Sequence, residues 1–377
     1  MRYYLIAGER SGDLHGGNLV REIVKLDPGA ELRGIGGEYM RDAGVNLSVH
    51  YGELAFMGFF EVVKNFGTIS RYTRKCKSDI LSFKPDVVIL IDYGGFNMRI
   101  ASFAKKNDIR VYYYITPKVW AWYQKRALKL KRTVDRMFVI LPFEKDFFKR
   151  FDWDVDYVGN PVWDSVRSHK PDLEFLTKNR LVSDLPIVSL LPGSRTQELA
   201  RMVPIMADVV GRFPDVQFGV AVVDNLDKAL YAPLKAHNNV TLVAEDTYNL
   251  LLHSNAAVVT SGTATLETAL FKVPQTVIYK ASASTYQVVK LLIRVPFISL
   301  VNLIAGREVI RELIQNEANG ATISGELKRL IFDGAYRKKI LEDYQSIITM
   351  LDTGSASENT ARLMTGYLRG EGPGSRP

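Results

Sequence analysis

Asp92 closes the run Val87-Val-Ile-Leu-Ile-Asp-Tyr-Gly-Gly-Phe-Asn97. A carboxylate at the carboxyl end of a buried strand lies where α/β enzymes assemble their active sites. The two glycines behind it let a substrate approach the backbone. As a general base it would take a proton from an attacking hydroxyl. Capping the helix that follows is the plainer role, and the residues alone leave both open.

Two junctions in the second half of the chain suit an anion. One is Ile187-Val-Ser-Leu-Leu-Pro-Gly-Ser-Arg195, and the other is Ala256-Ala-Val-Val-Thr-Ser-Gly-Thr-Ala-Thr-Leu-Glu267. Each is an apolar, β-branched run that stops at a Ser/Gly turn and enters a helical pattern. Backbone N–H groups at such a turn, with the positive end of a helix dipole behind them, favour negative charge. Arg195 adds a cation that can grip phosphate through two N–H groups. Neither junction ends in Gly-Lys-Ser/Thr, so neither is a P-loop. A diphosphate attached to something other than an ATP tail is the leading ligand.

Gly8-Glu-Arg-Ser-Gly-Asp13 follows the first apolar run and opens a helical one. It lacks G-x-G-x-x-G, which argues against a dinucleotide fingerprint. Glu9, Ser11 and Asp13 suit a hydroxyl-rich substrate, or form an ordinary polar N-cap turn. The five histidines are scattered without metal-ligand spacing. Only His15 stands near one of these loops.

These residues need strands to carry them. Strand patterns at Tyr3–Ala7, Val87–Ile91, Val111–Ile115, Met137–Ile140 and Val155–Val158 alternate with helical ones. The pattern restarts after Pro171, with strands at Ile187–Leu191, Val216–Val222, Ala256–Thr260 and Thr276–Tyr279. This alternation predicts two doubly wound parallel sheets, with a ligand cleft between domains at the strands' carboxyl ends. The expected domains are 1–165 and 166–340. A helical segment, 341–369, could pack back on the first domain, and 370–377 reads as a disordered tail.

Leu54-Ala-Phe-Met-Gly-Phe-Phe-Glu-Val-Val-Lys-Asn-Phe66 is strongly apolar, and Arg71, Arg74, Lys75 and Lys77 follow it. Such a stripe is either core packing or an apolar face set against acyl chains or anionic lipid. Trp120 and Trp122 stand beside Lys118, Lys125 and Arg126. That pattern fits nucleic acid, a stacked sugar face or an interfacial belt.

At 377 residues the chain is comfortable for two domains. Its formal charge of +8 suits an anionic partner. A lone cysteine, Cys76, makes no internal disulfide and fits a reducing compartment. No stretch reaches the ~18 uncharged apolar residues of a membrane span. Any membrane contact is therefore expected from the surface.

Taken together, the segments resemble lipid-A-disaccharide synthases, GT-B-type glycosyltransferases of bacterial outer-membrane lipid synthesis. The resemblance runs from about Tyr3 to Leu368. It is carried by Ala7-Gly-Glu-Arg-Ser-Gly-Asp13, Met57-Gly-Phe-Phe-Glu61, Ile91-Asp-Tyr-Gly-Gly-Phe-Asn97, Val119-Trp-Ala-Trp122, Leu141-Pro-Phe-Glu144, Leu191-Pro-Gly-Ser-Arg195, Ser261-Gly-Thr-Ala-Thr-Leu-Glu267 and Asn302-Leu-Ile-Ala-Gly-Arg-Glu308, in that order.

The resemblance implies a GT-B architecture of two Rossmann-like domains facing an interdomain cleft. It implies a metal-independent, inverting transfer without a cofactor. UDP-2,3-diacylglucosamine gives its sugar to 2,3-diacylglucosamine 1-phosphate, forming a β-1,6 disaccharide 1-phosphate and UDP. It makes Asp92 the base for the acceptor 6-hydroxyl and sets Arg195 on the donor diphosphate. Glu9, Ser11, Asp13 and Ser194 join the substrate-binding set. Ser261, Gly262, Thr263, Ala264 and Thr265 would hold the UDP phosphates, and Glu267, Asn302, Arg307 and Glu308 would line the nucleotide side. Phe56, Met57, Phe59, Phe60, Val62, Val63 and Phe66 become an acyl-chain or membrane surface. The implied setting is cytoplasmic, peripheral on an anionic inner membrane, without nucleic acid, and with a homodimer left open. The chain departs from the family at Gly94-Gly95, where an acid is frequent, and at Asn160, where histidine is usual.

Overall fold

The computed structural model describes residues 1–53, 66–224, 226–282, 286–287 and 292–371. The chain forms two compact units. The first comprises Met1–Pro161 with Thr353–Pro377, and the second Val162–Asp352.

The first unit is built on β1 (Arg2–Ala7), β2 (Glu31–Gly36), β3 (Asn46–His50), β4 (Val87–Ile91), β5 (Arg110–Tyr114), β6 (Arg136–Val139) and β7 (Asp156–Tyr157). They form one sheet in the order β3-β2-β1-β4-β5-β6-β7. Every adjacent pair is parallel. β4 shows why: all five of its residues are apolar and buried, as a strand covered on both faces requires. The crossovers carry α1 (Arg10–Leu26), α2 (Glu38–Asp42), α3 (Phe66–Phe83), α4 (Gly94–Lys106), α5 (Arg126–Thr133) and α6 (Pro142–Lys149).

The second unit contains β8 (Ile187–Leu191), β9 (Gln217–Val222), β10 (Val240–Ala244), β11 (Ala256–Thr260), β12 (Gln275–Tyr279) and β13 (Glu312–Ile314). Their order is β10-β9-β8-β11-β12-β13, again wholly parallel. Both sheets therefore reverse direction beside their first strand, between β1 and β4 and between β8 and β11. Ligands bind doubly wound sheets at this switch point, beyond the strands' carboxyl ends.

The helical pattern expected over the last forty or so residues is two helices, Gly334–Leu351 and Ala356–Leu368. The break falls at Gly354, whose φ of +87° suits glycine. The first helix belongs to the second unit and the other to the first unit. Ala361 and Met364 join Leu19, Val20 and Ile23 of α1 in one buried cluster. The Tyr367 hydroxyl donates to Asp156 at 3.0 Å, and Asn359 Nδ2 donates to the Val158 carbonyl at 3.2 Å. The chain thus returns to the first unit at Thr353 rather than at 341, and the second unit begins at Val162 rather than at 166.

Candidate active site

In the first unit, Ala7 of β1 lies opposite Ile91 of β4. Both chains leave the sheet just beyond that pair. Glu9 follows the end of β1 and Asp92 the end of β4, and the negative charge of Glu9 is felt at the Asp92 carboxyl. Gly8 sits under the Tyr93 ring, where a Cβ would stand 2.2 Å from a ring carbon. The two loops are thereby packed together, and the glycine is obligatory.

Asp92 and Tyr93 both hold left-handed backbone, with φ of +45° and +49°. Such conformations cost on the order of 1 kcal/mol or more and persist where their surroundings fix them. Here the Tyr113 hydroxyl donates to the Asp92 carbonyl at 2.6 Å, and Asn97 Nδ2 donates to it at 2.8 Å. The Asp92 N–H donates to the Tyr114 carbonyl at 3.1 Å. Tyr93 is the N-cap of α4 and makes no side-chain capping bond. The Asp92 carboxyl senses the opposed charges of Glu9 and Lys118. Burial, reinforced by the negative charge of Glu9 and opposed by Lys118, raises its pKa to about 6. This is a carboxylate tuned toward proton transfer near neutrality.

Other polar groups of these loops are committed to the protein itself. Asp13 is fully buried and accepts from the backbone N–H groups of Gly37 (2.6 Å), Tyr39 (3.0 Å) and Met40 (3.1 Å). It secures the start of α2. Glu144 is buried and accepts from Thr116 Oγ1 (2.6 Å), Trp120 Nε1 (3.0 Å) and the N–H groups of Ile140 and Leu141 (3.1 and 3.0 Å). It ties the loop after β5, which carries Lys118, to α6. Pro117 of that loop stands over Gly94, where a Cβ would come within 2.8 Å of it, whereas Gly95 faces open space. Asn160 is buried and donates to the Ile140 carbonyl at 3.0 Å. Ser11 donates to Glu9 at 3.2 Å. His15 is half-buried, and desolvation of its imidazole lowers its pKa to about 4, so it is neutral.

In the second unit, β8 leads through Pro192–Arg195 into the helix Thr196–Val210, with Arg195 at the N-cap. Gly193 has a φ of +112°, and a Cβ there would stand 2.5 Å from Glu198 Oε2. Glu198 accepts the Ser194 N–H at 2.9 Å and pairs with Arg195 at 2.8 Å. The Arg195 side chain is 76% exposed, so its guanidinium keeps a free edge. Across the switch point, β11 leads into the helix Ala264–Leu270. Ser261 Oγ donates to the Ile298 carbonyl at 2.9 Å, and Thr265 Oγ1 donates to the Gly262 carbonyl at 2.8 Å. Thr263 is exposed.

Glu267 accepts from the Tyr248 hydroxyl at 3.0 Å, and burial raises its pKa. Asn302 is fully buried. Its amide donates to the Ile310 carbonyl (2.8 Å) and Glu312 (2.9 Å), and its carbonyl accepts from Val309 (2.8 Å) and Ile310 (3.1 Å). That use of both ends makes Asn302 a loop brace. Arg307 forms a bidentate pair with Asp343, at 3.0 and 2.6 Å, and Glu308 is exposed. Phe56, Met57, Phe59, Phe60, Val62 and Val63 lie outside the described residues, and Phe66 opens α3.

Sequence reasoning passed over Glu198 and Lys118 as site residues. Glu198 had a local signal, its three-residue spacing from Arg195 on a helix. Lys118 had none linking it to Asp92, because its charge acts on that carboxyl from another strand's loop.

The family model for lipid-A-disaccharide synthetase matches residues 3–364. The lipid-A-disaccharide synthase of Geobacter sulfurreducens is 41% identical over 373 residues, covering 97% of each chain. That of Syntrophus aciditrophicus is 40% identical over 364 residues, covering 95% of each. Among solved structures, the MnaA–UDP co-structure from S. aureus superposes with a TM-score of 0.68 at 13% identity, covering 100% of both chains. The calicheamicin glycosyltransferase CalG4 gives 0.61 at 15% identity, covering 98% of each. These structural likenesses establish the fold, a GT-B-like pair of parallel α/β sheets. Fold, switch-point geometry and full-length similarity converge: the chain belongs to the lipid-A-disaccharide synthase family.

Proposed function

We propose how the lipid-A-disaccharide synthase activity of this chain is divided between its two units. Asp92, in the first unit, takes the proton from the 6-hydroxyl of 2,3-diacylglucosamine 1-phosphate. The freed oxygen attacks the anomeric carbon of UDP-2,3-diacylglucosamine from the face opposite the diphosphate. The new C–O bond forms as the bond to the diphosphate breaks, and UDP leaves with the electron pair. The anomeric centre is inverted. In the second unit, Arg195 and the N–H groups of Gly262, Thr263 and Ala264 in the Ser261–Thr265 turn neutralise the charge that develops on the diphosphate.

The observation that carries this reading is Asp92 at the β1/β4 switch point with its pKa raised to about 6. A base of that strength is largely ionised at neutral pH yet holds a proton far better than a free carboxylate. The exposed edge of Arg195 at the β8/β11 switch point supports the donor half. We read Glu9 and Ser11 as contacts of the acceptor sugar.

The substrates are acylated, and the first unit carries a surface suited to lipid. Trp122 and Tyr123 are 44% and 56% exposed, close in sequence to the exposed cations Lys118, Lys125 and Arg126. We read this as a contact with anionic lipid from the membrane surface. No helix among the described residues is long and apolar enough to cross a membrane.

The test is UDP release in mixed micelles. UDP is expected only when both acylated sugars are present. Release from the donor alone would point to a hydrolase or epimerase instead.

A further inference from the structure

Peptide groups are planar, so the backbone turns only at φ and ψ. At Asp92 the planes on both sides are held. The Asp92 N–H donates to the Tyr114 carbonyl at 3.1 Å, which carries the β4–β5 ladder one residue past the strand. That bond holds the plane before Asp92. The plane after it is held through the Asp92 carbonyl, which accepts from the Tyr113 hydroxyl at 2.6 Å and from Asn97 Nδ2 at 2.8 Å. Between the two planes Asp92 keeps a φ of +45°, where residues other than glycine rarely rest.

The two donors come from different elements. Tyr113 lies on β5, opposite Leu90 of β4. Asn97 lies in the first turns of α4, where its N–H donates to the Tyr93 carbonyl at 3.2 Å. Its side-chain amide also donates to the Ile91 carbonyl at 3.2 Å. Both side chains are fully buried. A buried hydroxyl or amide needs a partner, and here the partners are the last carbonyls of β4. With the backbone of Asp92 so held, its Cα–Cβ bond has one direction, and only the two side-chain torsions remain to aim the carboxyl.

We propose that Tyr113 and Asn97 are positioning residues for the transfer: gripping the Asp92 carbonyl from a strand and a helix, they set the direction from which its carboxyl meets the acceptor hydroxyl. A general base works only within hydrogen-bond reach of the proton it takes. A misplacement of about 1 Å at a reacting centre can lower a rate about a hundredfold. Neither side chain touches the carboxyl through any hydrogen bond among the described residues. Their action passes through the main chain. The proposal rests on the reading of Asp92 as the base.

The experiment compares wild type, Tyr113→Phe, Asn97→Leu, the double variant and Asp92→Asn. It measures kcat, KM for both acylated sugars and the pH dependence of kcat/KM, on UDP release, with rates referred to the folded fraction read from denaturant melts. Tyr113→Phe removes one oxygen, and Asn97→Leu keeps about the same volume without a donor. The charges felt at the Asp92 carboxyl, Glu9 and Lys118, stay in place in every variant. Each single variant should lower kcat about tenfold and the double variant about a hundredfold, with both KM values within about twofold of wild type. Freed from its clamp, the carboxyl gains access to water, so the acidic limb of the double variant should move down by about half a unit to one unit. A merely structural clamp would lower the melts and leave kcat per folded enzyme and the limb unchanged. That result, or any other in which kcat and limb do not move together while Asp92→Asn is inactive, overturns the proposal and leaves the base standing. If Asp92→Asn turns over normally, the base reading itself has failed.

Discussion

Glu9 and Asp92 flank the switch point of the first sheet, one just beyond the end of β1 and the other just beyond the end of β4, and the charge of Glu9 helps to raise the Asp92 pKa. Arg195 and Glu198 pair at 2.8 Å beside the switch point of the second sheet. Each unit therefore places its charged chemistry where a doubly wound sheet opens to a ligand. The first site concentrates negative charge and favours holding a proton. The second leaves a guanidinium edge exposed and favours holding an anion.

The pH–rate profile should carry an acidic limb with an apparent pKa of about 6, set by Asp92. Below it the base is protonated and the rate falls about tenfold per pH unit. A limb near 4, the ordinary carboxylate range, would show that the burial and charge around Asp92 do not govern the reaction.

Asp92 should lower stability at the pH where it works. Its folded pKa of about 6 lies above the ordinary value of 3.8. The sign follows: the folded state favours the protonated form, so stability is intact below pH 4, falls between pH 4 and 6, and stays low above. The full cost is on the order of 3 kcal/mol. Asparagine tolerates left-handed backbone and does not titrate. Asp92→Asn should therefore melt at higher temperature than wild type at pH 8, with the gap closing toward pH 4. Calorimetry at the two pH values checks this, and a gap independent of pH would refute it.

Arg195→Ala should separate activity from folding. The side chain is exposed and its partner Glu198 lies on the same helix surface, so stability should change by less than about 1 kcal/mol. The rate should fall on the order of a hundredfold or more, as expected when a group stabilising developing charge is removed. Denaturant melts alongside steady-state kinetics with varied donor make the comparison.

Asn302→Ala should do the reverse. It strands the Val309 and Ile310 N–H groups, the Ile310 carbonyl and one contact of Glu312, all in a buried loop. A loss of about 2–4 kcal/mol is expected, read as a lower denaturation midpoint. An unchanged midpoint would show that the brace is dispensable.

The buried strands were legible because they are uniformly apolar: β1, β4, β5, β8 and β11 all announce themselves. β2 did not, since Glu31–Gly36 mixes charged residues with glycines. Gly34 is required there because a Cβ would fall 1.9 Å from the Leu5 carbonyl oxygen. β3, β10 and β13 sit toward or at sheet edges and are only partly buried, so their patterns are weak. Asp92 and Arg195 were legible because strand ends are marked by composition. The inward roles of Asp13 and Asn302 were not, because a carboxylate or amide looks alike whether it binds a sugar or a backbone N–H. Their partners lie up to 27 residues away in the chain.

The measurement that bears most directly on the base is the turnover of Asp92→Asn, assayed as UDP release in mixed micelles containing both acylated sugars. Loss of a general base should lower kcat by about 10²–10⁴-fold, with the protein folded and at least as stable as wild type at pH 8. Turnover at near wild-type rate would contradict the assignment of Asp92.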